Sequence, residues 1–259
     1  MKIACCQLNI KWEDKQQNMG RIAKYIAEAS GEKADIILFP EMSLTGFSMN
    51  IRITMEESYD TVTKIKCLAR QNNIAIGIGW VKACGEKAEN HYTIINKNGQ
   101  ELSDYIKIHP FSFAGENHYF NSGKTVKIFE LNDIKMCTLI CYDLRFPETF
   151  QLVADDVSCI IVSANWPEVR NKHWQSLLQA RAIENQVYMI GVNCVGKQQD
   201  VYYSGESCVI NPNGDMIGIL SGKEGNLYVD IPDDVEQYRN AFPMRKDRTK
   251  QIYIENLSI

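Results

Sequence analysis

The side chain with the clearest chemical potential is Cys141, which ends an apolar run in the segment Thr138-Leu-Ile-Cys-Tyr-Asp-Leu-Arg-Phe-Pro-Glu148. A cysteine at a strand end and beside a helix start can have its thiolate stabilised by backbone N–H groups and positive charge. The other eight cysteines lie mostly inside apolar runs, where a small core residue is the ordinary interpretation. Cys141 is therefore the candidate nucleophile, and a structural cysteine is the alternative.

A carboxylate occupies a comparable position earlier in the chain. The apolar run 36–39 predicts a short buried strand that Pro40 ends, so Glu41 lies at the carboxyl end of that strand. Walled by Phe39 and Phe47, this carboxylate can serve as a general base. A turn-capping carboxylate is the alternative.

A cation follows the same pattern in the segment Tyr105-Ile-Lys-Ile-His-Pro110. Lys107 alternates with Ile106 and Ile108, so it projects from the opposite face of an extended segment. An ammonium that projects into a cleft can stabilise a developing oxyanion. A solvated lysine on an edge strand is the alternative.

The order Phe-Pro-Glu, Lys-Ile-His-Pro and Cys-Tyr-Asp-Leu-Arg-Phe-Pro-Glu resembles the nitrilase superfamily of carbon–nitrogen hydrolases. The resemblance spans most of the chain and extends to further segments: Ile3-Ala-Cys-Cys-Gln-Leu-Asn9, Glu41-Met-Ser-Leu-Thr-Gly46, Gly115-Glu-Asn117, Ser163-Ala-Asn-Trp-Pro167 and Gln179-Ala-Arg-Ala-Ile-Glu-Asn185. It implies Glu41 as general base, Lys107 as oxyanion stabiliser and Cys141 as nucleophile. It also implies Glu116 as a second glutamate beside the cysteine, for which a surface loop carboxylate is the alternative.

Within the superfamily, the segments 141–148 and 111–119 are most similar to the ω-amidases. The implied reaction is hydrolysis of the terminal amide of 2-oxoglutaramate or 2-oxosuccinamate to the 2-oxo dicarboxylate and ammonia. Such a substrate carries a carboxylate remote from the amide, which calls for a cation or several donors. Arg145 is the candidate cation, or else a structural ion-pair partner. The remaining expected binding groups are the backbone N–H of Tyr142 and aromatic walls from Phe47, Phe113, Tyr119 and Trp166.

Other functions remain open from the sequence. N-carbamoyl amines, deaminated glutathione and nitriles are alternative substrates for the same triad. The nine cysteines and the adjacent Cys5-Cys6 pair leave room for a thiol redox sensor or a binding module without hydrolase activity. A Cys–His hydrolase with His109 or His118 as the base is a third hypothesis.

Strand and helix signals alternate along the chain. Strands are predicted near 2–9, 35–39, 74–80, 91–97, 101–107, 133–140, 158–164, 188–194, 206–211 and 215–219, and helices near 16–29, 56–72, 147–155 and 170–186. Asn98-Gly99 and Asn213-Gly214 indicate hairpin turns. This pattern predicts an α/β protein with mixed sheets. The resemblance specifies a four-layer αββα sandwich, and a homodimer formed through the 170–186 helix and the tail after Tyr238.

Length, charge and apolar content indicate the domain number, the kind of partner and the compartment. The 259 residues are 45% hydrophobic and fit a single domain, 1–259, with a C-terminal tail from about residue 238. A formal charge of −4 argues against a nucleic-acid partner, since the one dense basic patch is 245–250. No stretch approaches the ~20 apolar residues of a membrane span, and the N-terminus lacks a signal-peptide core, so we expect a soluble cytoplasmic protein with reduced thiols.

We expect neither a metal nor another cofactor. The sequence has no Cys-x-x-Cys pair, and its four histidines show no paired ligand spacing. The expected partner is a small-molecule amide substrate.

Overall fold

The computed structural model describes residues 1–249, in which strands and helices alternate as predicted. The strands are β1 Lys2–Gln7, β2 Ile36–Leu38, β3 Ala75–Cys84, β4 Lys87–Ile95, β5 Glu101–Ile106, β6 Phe120–Asn121, β7 Ile128–Leu131, β8 Ile134–Ile140, β9 Cys159–Ala164, β10 Tyr188–Asn193, β11 Val195–Gln198, β12 Val201–Ile210, β13 Met216–Ser221 and β14 Gly225–Asp230. The α-helices are α1 Lys15–Gly31, α2 Ile51–Thr54, α3 Asp60–Asn72, α4 Glu116–Tyr119, α5 Pro147–Gln151, α6 Asn171–Asn185 and α7 Val235–Ala241.

The strands form two seven-stranded mixed sheets. The first has the order β14-β1-β2-β3-β4-β5, with β6 beside β4, and the second has the order β11-β12-β10-β9-β8-β7, with β13 beside β12. In each sheet the three central strands, β1-β2-β3 and β8-β9-β10, run parallel. Parallel strands are covered on both faces, which is why β2 and β9 are apolar runs buried along their whole length.

Side-chain alternation along the strands builds the layers. On β1, Ala4 and Cys6 pack with Ile22 of α1 and Ile65 of α3, whereas Ile3 faces the core shared with the second sheet. The opposite face of the second sheet is covered by α6, whose buried side chains include Trp174 and Leu178. The molecule therefore has four layers, αββα, as predicted.

The candidate site residues follow the ends of four strands. β2 ends at Leu38, β5 at Ile106, β8 at Ile140 and β9 at Ala164, and each is followed within a few residues by a polar side chain. Ligand sites in α/β sheets lie outside the carboxyl ends of parallel strands. The two packed sheets bring these four strand ends to one region.

Both predicted hairpin turns are confirmed. Gly99 and Gly214 have φ values of +76° and +89°, and they join β4 to β5 and β12 to β13. Glycine adopts this left-handed conformation without the steric cost of a Cβ.

The predicted C-terminal tail, from about residue 238, is described only as far as residue 249. Arg239 of α7 donates to the carbonyl oxygens of Ala154 and Val157, and Gln186 donates to the carbonyl oxygen of Phe242. The rest of the predicted tail and the last residue of the basic patch, 250–259, lie outside the described residues. Among the helices of residues 1–249, none combines the length and apolar character needed to cross a membrane.

Candidate active site

Glu41 lies in the turn after β2 and is fully buried. Its Oε1 accepts hydrogen bonds from Lys107 Nζ at 2.8 Å and Asn90 Nδ2 at 2.9 Å, and its Oε2 accepts from the backbone N–H of Asn165 at 3.0 Å. Donors on both oxygens stabilise a buried carboxylate and fix its orientation.

Gly79 on β3 allows this turn to lie close to the sheet. A Cβ at residue 79 would lie 2.6 Å from the carbonyl oxygen of Pro40 and 2.8 Å from Cα of Glu41. Side chains do not tolerate such short contacts with backbone, so only glycine lets the Glu41 turn pack directly on β3.

Lys107 follows β5 directly and is 1% exposed, which excludes the solvated alternative. Its Nζ donates to Glu41 and to both carboxylate oxygens of Glu116, at 3.0 and 2.8 Å. Burial acts to lower the pKa of Lys107, but the charges of Glu116 and Glu41 outweigh burial and raise it. The side chain is therefore a buried ammonium, with the ring of Phe47 centred 5.2 Å from Nζ.

Glu116 begins the one-turn helix α4 and is buried, so it is not a surface loop carboxylate. Its Oε2 accepts from the N–H of Phe111 at 2.5 Å, and its Oε1 accepts from Asn90 Nδ2 at 3.2 Å. Burial raises the pKa of Glu116, and the charge of Lys107 opposes this effect. Two carboxylates thus share one ammonium and one amide.

Cys141 begins a 3₁₀ turn, Cys141–Arg145, and has a φ of +45°. A non-glycine residue in this conformation is strained and often marks a functional turn. Burial raises the pKa of the Cys141 thiol well above its usual value, and the charge of Glu41 adds to the effect, while Lys107 opposes it. Sγ of Cys141 donates to the carbonyl oxygen of Asn165 at 3.9 Å. The direction of this pKa shift is opposite to that of a stabilised thiolate and is the one that favours a neutral thiol beside a carboxylate.

Asp143 ties the Cys141 turn to the segment that carries Lys107. Its Oδ1 lies 3.0 Å from the backbone N and 2.7 Å from Nδ1 of His109, and its Oδ2 accepts from the hydroxyl of Tyr105 at 2.8 Å and the N–H of Ile140 at 3.0 Å. These contacts link the two sheets at the nucleophile. Sequence reasoning assigned Asp143 no role, although it lies two residues after Cys141.

Two asparagines were also missed. Asn90, in the middle of β4, bridges Glu41 and Glu116 through Nδ2. Asn165, directly after β9, donates its backbone N–H to Oε2 of Glu41 and its Nδ2 to the carbonyl oxygen of Glu41 at 2.7 Å. Asn90 carried no local signal, because it lies in a polar stretch before the strand predicted at 91–97. Asn165 lies in the segment 163–167, which the resemblance to the nitrilase superfamily already marked.

A cavity of about 300 Å³ opens beside Cys141, and most of its wall is apolar. Five predicted binding residues line it: Phe47, Phe113, Tyr142, Arg145 and Trp166. Tyr119 does not line the cavity and is 43% exposed. The cause is the pairing of Phe120 with Ala88 in β6, which turns Phe120 inward and leaves Tyr119 toward solvent.

Arg145 lies on the cavity wall at the end of the Cys141 turn. Its guanidinium carbon is 4.7 Å from the ring centre of Trp166 and 5.9 Å from that of Tyr142, and its terminal nitrogens are 3.4 Å from Nδ1 of His173. The ion pairs among residues 1–249 do not include Arg145. The structure therefore does not support the alternative of a structural ion-pair partner.

The geometry disfavours a histidine base. His109 is held by Asp143 and stacks on Phe146 with ring centres 3.9 Å apart, and His118 is exposed. The charged groups acting on the Cys141 thiol are Glu41, Lys107 and Glu116. Over residues 1–249, no group of three or more His, Cys, Asp or Glu side chains is arranged to hold a metal ion.

A thiol and a buried ammonium on the wall of one apolar cavity, with a buried carboxylate behind them, are the groups that a thiol hydrolase needs, and comparison with known proteins gives the family. The carbon–nitrogen hydrolase family model matches residues 2–240. The chain is 34% identical to the "Hydrolase in agr operon" of Staphylococcus aureus, covering 98% of this chain and 100% of that protein. It is 31% identical to the 2-oxoglutaramate amidase of Bacillus subtilis, covering 97% and 98%.

A solved structure agrees with this assignment. XC1258 from Xanthomonas campestris, a CN-hydrolase superfamily protein with an arsenic adduct in its active site, superposes with a TM-score of 0.90 at 26% identity, covering 96% of this chain and 97% of that chain. The chain belongs to the carbon–nitrogen hydrolase family. The resemblance to the nitrilase superfamily and the predicted sandwich fold are both confirmed.

Proposed function

We propose that Glu41, Lys107 and Cys141 form the catalytic triad of an amidase that works through a cysteine thioester. The observation that carries this proposal is the buried ammonium of Lys107, which donates to Glu41 at 2.8 Å and interacts with Cys141. A thiol with a raised pKa needs a base at the moment of attack, and Glu41 is the carboxylate whose charge acts most strongly on it.

In the proposed reaction, Glu41 carries the proton at each step. Glu41 takes the thiol proton as sulfur bonds to the amide carbon, and the oxyanion is stabilised by Lys107 and the backbone N–H of Tyr142. Glu41 returns the proton to the amine as the carbon–nitrogen bond breaks and ammonia leaves. Water attacks the thioester, Glu41 takes a proton from it, and that proton returns to sulfur as the acid leaves.

Glu116 is proposed to position Lys107 rather than to react. It accepts two of the ammonium contacts and is itself oriented by the N–H of Phe111. The Glu116→Gln variant is expected to slow turnover while the fold stays intact. Wild-type turnover in that variant would remove Glu116 from the site.

The substrate proposed is the terminal amide of a short 2-oxo dicarboxylic acid, such as 2-oxoglutaramate or 2-oxosuccinamate. Support comes from the 31% identity to the B. subtilis 2-oxoglutaramate amidase over nearly the whole chain. A cavity of about 300 Å³ lies at the small end of ligand pockets and suits a short acyl chain. Arg145, without an ion-pair partner among the described residues, offers a cation to the remote carboxylate.

The test is ammonia release from 2-oxoglutaramate, compared with glutamine, N-carbamoyl amino acids and a simple nitrile. The Cys141→Ala variant is the blank. We expect fast turnover of the 2-oxo amide that depends on Cys141. Turnover of a different compound would keep the triad and change the substrate, whereas no turnover across the panel would favour a thiol sensor or binding module.

We also propose that the chain acts as a single catalytic domain in a cytoplasmic homodimer. All nine cysteines are free, as expected for a reducing compartment. An apolar surface supports the dimer: Ile183 of α6 is 45% exposed, and Met216, Ile217 and Ile219 of β13 are each 41% exposed. Apolar residues clustered on a surface often mark a protein–protein contact.

A further inference from the structure

A second arginine, Arg170, lines the cavity and was not anticipated from the sequence. It ends the 3₁₀ turn Glu168–Arg170, which follows the wall formed by Asn165 and Trp166. Its carbonyl oxygen accepts a hydrogen bond from Nε1 of Trp166 at 2.8 Å. The same indole lies under the guanidinium of Arg145, so Trp166 braces both arginine-bearing turns.

The positive charge of Arg170 reaches the volume in front of the nucleophile. Its guanidinium carbon lies 5.5 Å from the ring centre of Phe111, another cavity residue. Burial raises the pKa of the cavity residue Tyr203, Cys141 and Glu41 add to this, and Arg170 opposes it. Arg170 and the catalytic groups therefore act on the same hydroxyl.

Within the described part of the chain, the ion pairs of arginine are those of Arg21, Arg181, Arg239 and Arg245, so Arg170, like Arg145, is left without a carboxylate partner on the cavity wall. A guanidinium on an apolar wall without a carboxylate partner is matched to a planar anion, which it binds through two parallel N–H donors.

We propose that Arg170 receives the remote carboxylate of the substrate together with Arg145 and so selects ω-carboxylated amides over neutral amides of similar length. The inference rests on the proposed amidase function and names a specificity residue for it. A carboxylate has about four lone-pair sites, and two guanidinium forks satisfy them better than one. The aromatic rings under the guanidinium groups limit competition from water.

The experiment compares three amides in the full-length protein: 2-oxoglutaramate, glutaramate and butyramide. The first two carry a remote carboxylate, and butyramide is a neutral amide of similar length. Arg170→Gln is expected to reduce kcat/KM for both anionic amides about 10- to 100-fold, mainly through KM, because a charge-assisted contact is lost. Turnover of butyramide should stay within about twofold of wild type.

Two further variants sharpen the comparison. Arg170→Lys keeps the charge but loses the fork, so it should recover only part of the activity on the anionic amides. Lys172→Gln removes an exposed cation two residues away that does not line the cavity, and it controls for long-range attraction of anions. Reaction of Cys141 with the neutral reagent iodoacetamide verifies that the site is intact in each variant.

The outcomes separate this inference from the proposed function. Equal losses on anionic and neutral amides, no loss on any of them, or an equal effect of Lys172→Gln would overturn the role of Arg170. A wild-type enzyme that prefers butyramide to both anionic amides would overturn it as well. Turnover of glutaramate without 2-oxoglutaramate, still dependent on Arg170, would support the role of Arg170 and refute the 2-oxo substrate.

Discussion

At the scale of single residues, the site is organised around a shared cation. Lys107 is bound by two buried carboxylates, and Asn90 links those carboxylates through one amide group. Buried charges are stable only when they are paired and hydrogen-bonded. The same network that stabilises the three charges holds Glu41 where its charge acts on the thiol of Cys141, so stability and the proposed chemistry depend on the same atoms.

Replacing Glu41 with Gln tests the base directly. The amide keeps the size of the side chain but cannot accept the thiol proton, so kcat should fall by about 100-fold or more. Hydrolysis is measured by ammonia release, and circular dichroism checks the fold. Ammonia release near the wild-type rate would contradict the assignment of Glu41 as the base.

The pH dependence of thiol alkylation tests the protonation state of Cys141. Its pKa is raised, so the thiol is protonated through neutral pH, and the small thiolate fraction grows as pH rises. The rate at which Cys141 itself reacts with iodoacetamide, followed on its own peptide because Cys67 is also exposed, should therefore increase about tenfold per pH unit between about pH 7 and pH 9 without a plateau. A plateau near neutral pH would mean that a thiolate is already formed in the free enzyme.

At the scale of secondary-structure elements, close contacts between strands and turns position the proposed catalytic groups. The approach of β3 to the turn at Glu41 depends on Gly79. Asp143 similarly binds the turn after β8 to the segment after β5. The turns that carry Glu41 and Cys141 are thus each supported by an element other than their own.

Replacing Gly79 with Ala should displace the Glu41 turn. The new methyl group would meet the backbone N of Met42 at 2.5 Å, so we expect a loss of about 1–3 kcal/mol in unfolding free energy and a marked loss of activity. Gly20, on α1, is the matched control, because a Cβ there meets nothing within 4 Å. Gly20→Ala should leave activity unchanged and stabilise the helix slightly. Urea unfolding and ammonia release measure both effects.

The sequence predicted the elements that carry their own local signal. Apolar runs ending in one polar residue identified β2 with Glu41 and β8 with Cys141. Asn90 could not be assigned in this way, because its partner Glu41 lies 49 positions away and Glu116 lies 26 positions away. These groups are far apart in the sequence, so their hydrogen bonds become apparent only in the tertiary structure.

The missed and misplaced elements have the same physical origin. β14 pairs with β1 from the other end of the chain, and the two-residue strand β6 exists only because it lies beside β4. The helix predicted from residue 56 begins at Asp60, because Glu56 pairs with Lys82 of β3 and accepts hydrogen bonds from Thr61. For β14, β6 and the start of α3, pairing with distant strands outweighs the local secondary-structure propensity.

At the scale of the whole molecule, one outer face remains apolar. Ile183 of α6 packs against the turn at Gly214, and the exposed isoleucines of β13 follow that turn. A helix and an edge strand with exposed apolar side chains form a surface that a second copy of the chain can cover. This surface includes the helix from which the dimer was predicted.

Replacing Ile183 with Asp tests the proposed dimer. A buried, unpaired carboxylate in the interface should shift the protein toward monomer in sedimentation velocity. Ile53 on α2 is also 45% exposed and is the matched control, so Ile53→Asp should leave the assembly unchanged. A wild-type protein that sediments as a monomer would contradict the proposal.

The proposed catalytic groups are divided between the two sheets. Glu41 and Lys107 come from the first sheet, and Cys141 comes from the second. Neither sheet alone contains all three residues of the proposed triad. If these residues carry the reaction as proposed, recovery of turnover after denaturation requires the two sheets to dock, so turnover reports docking and not only the formation of each sheet.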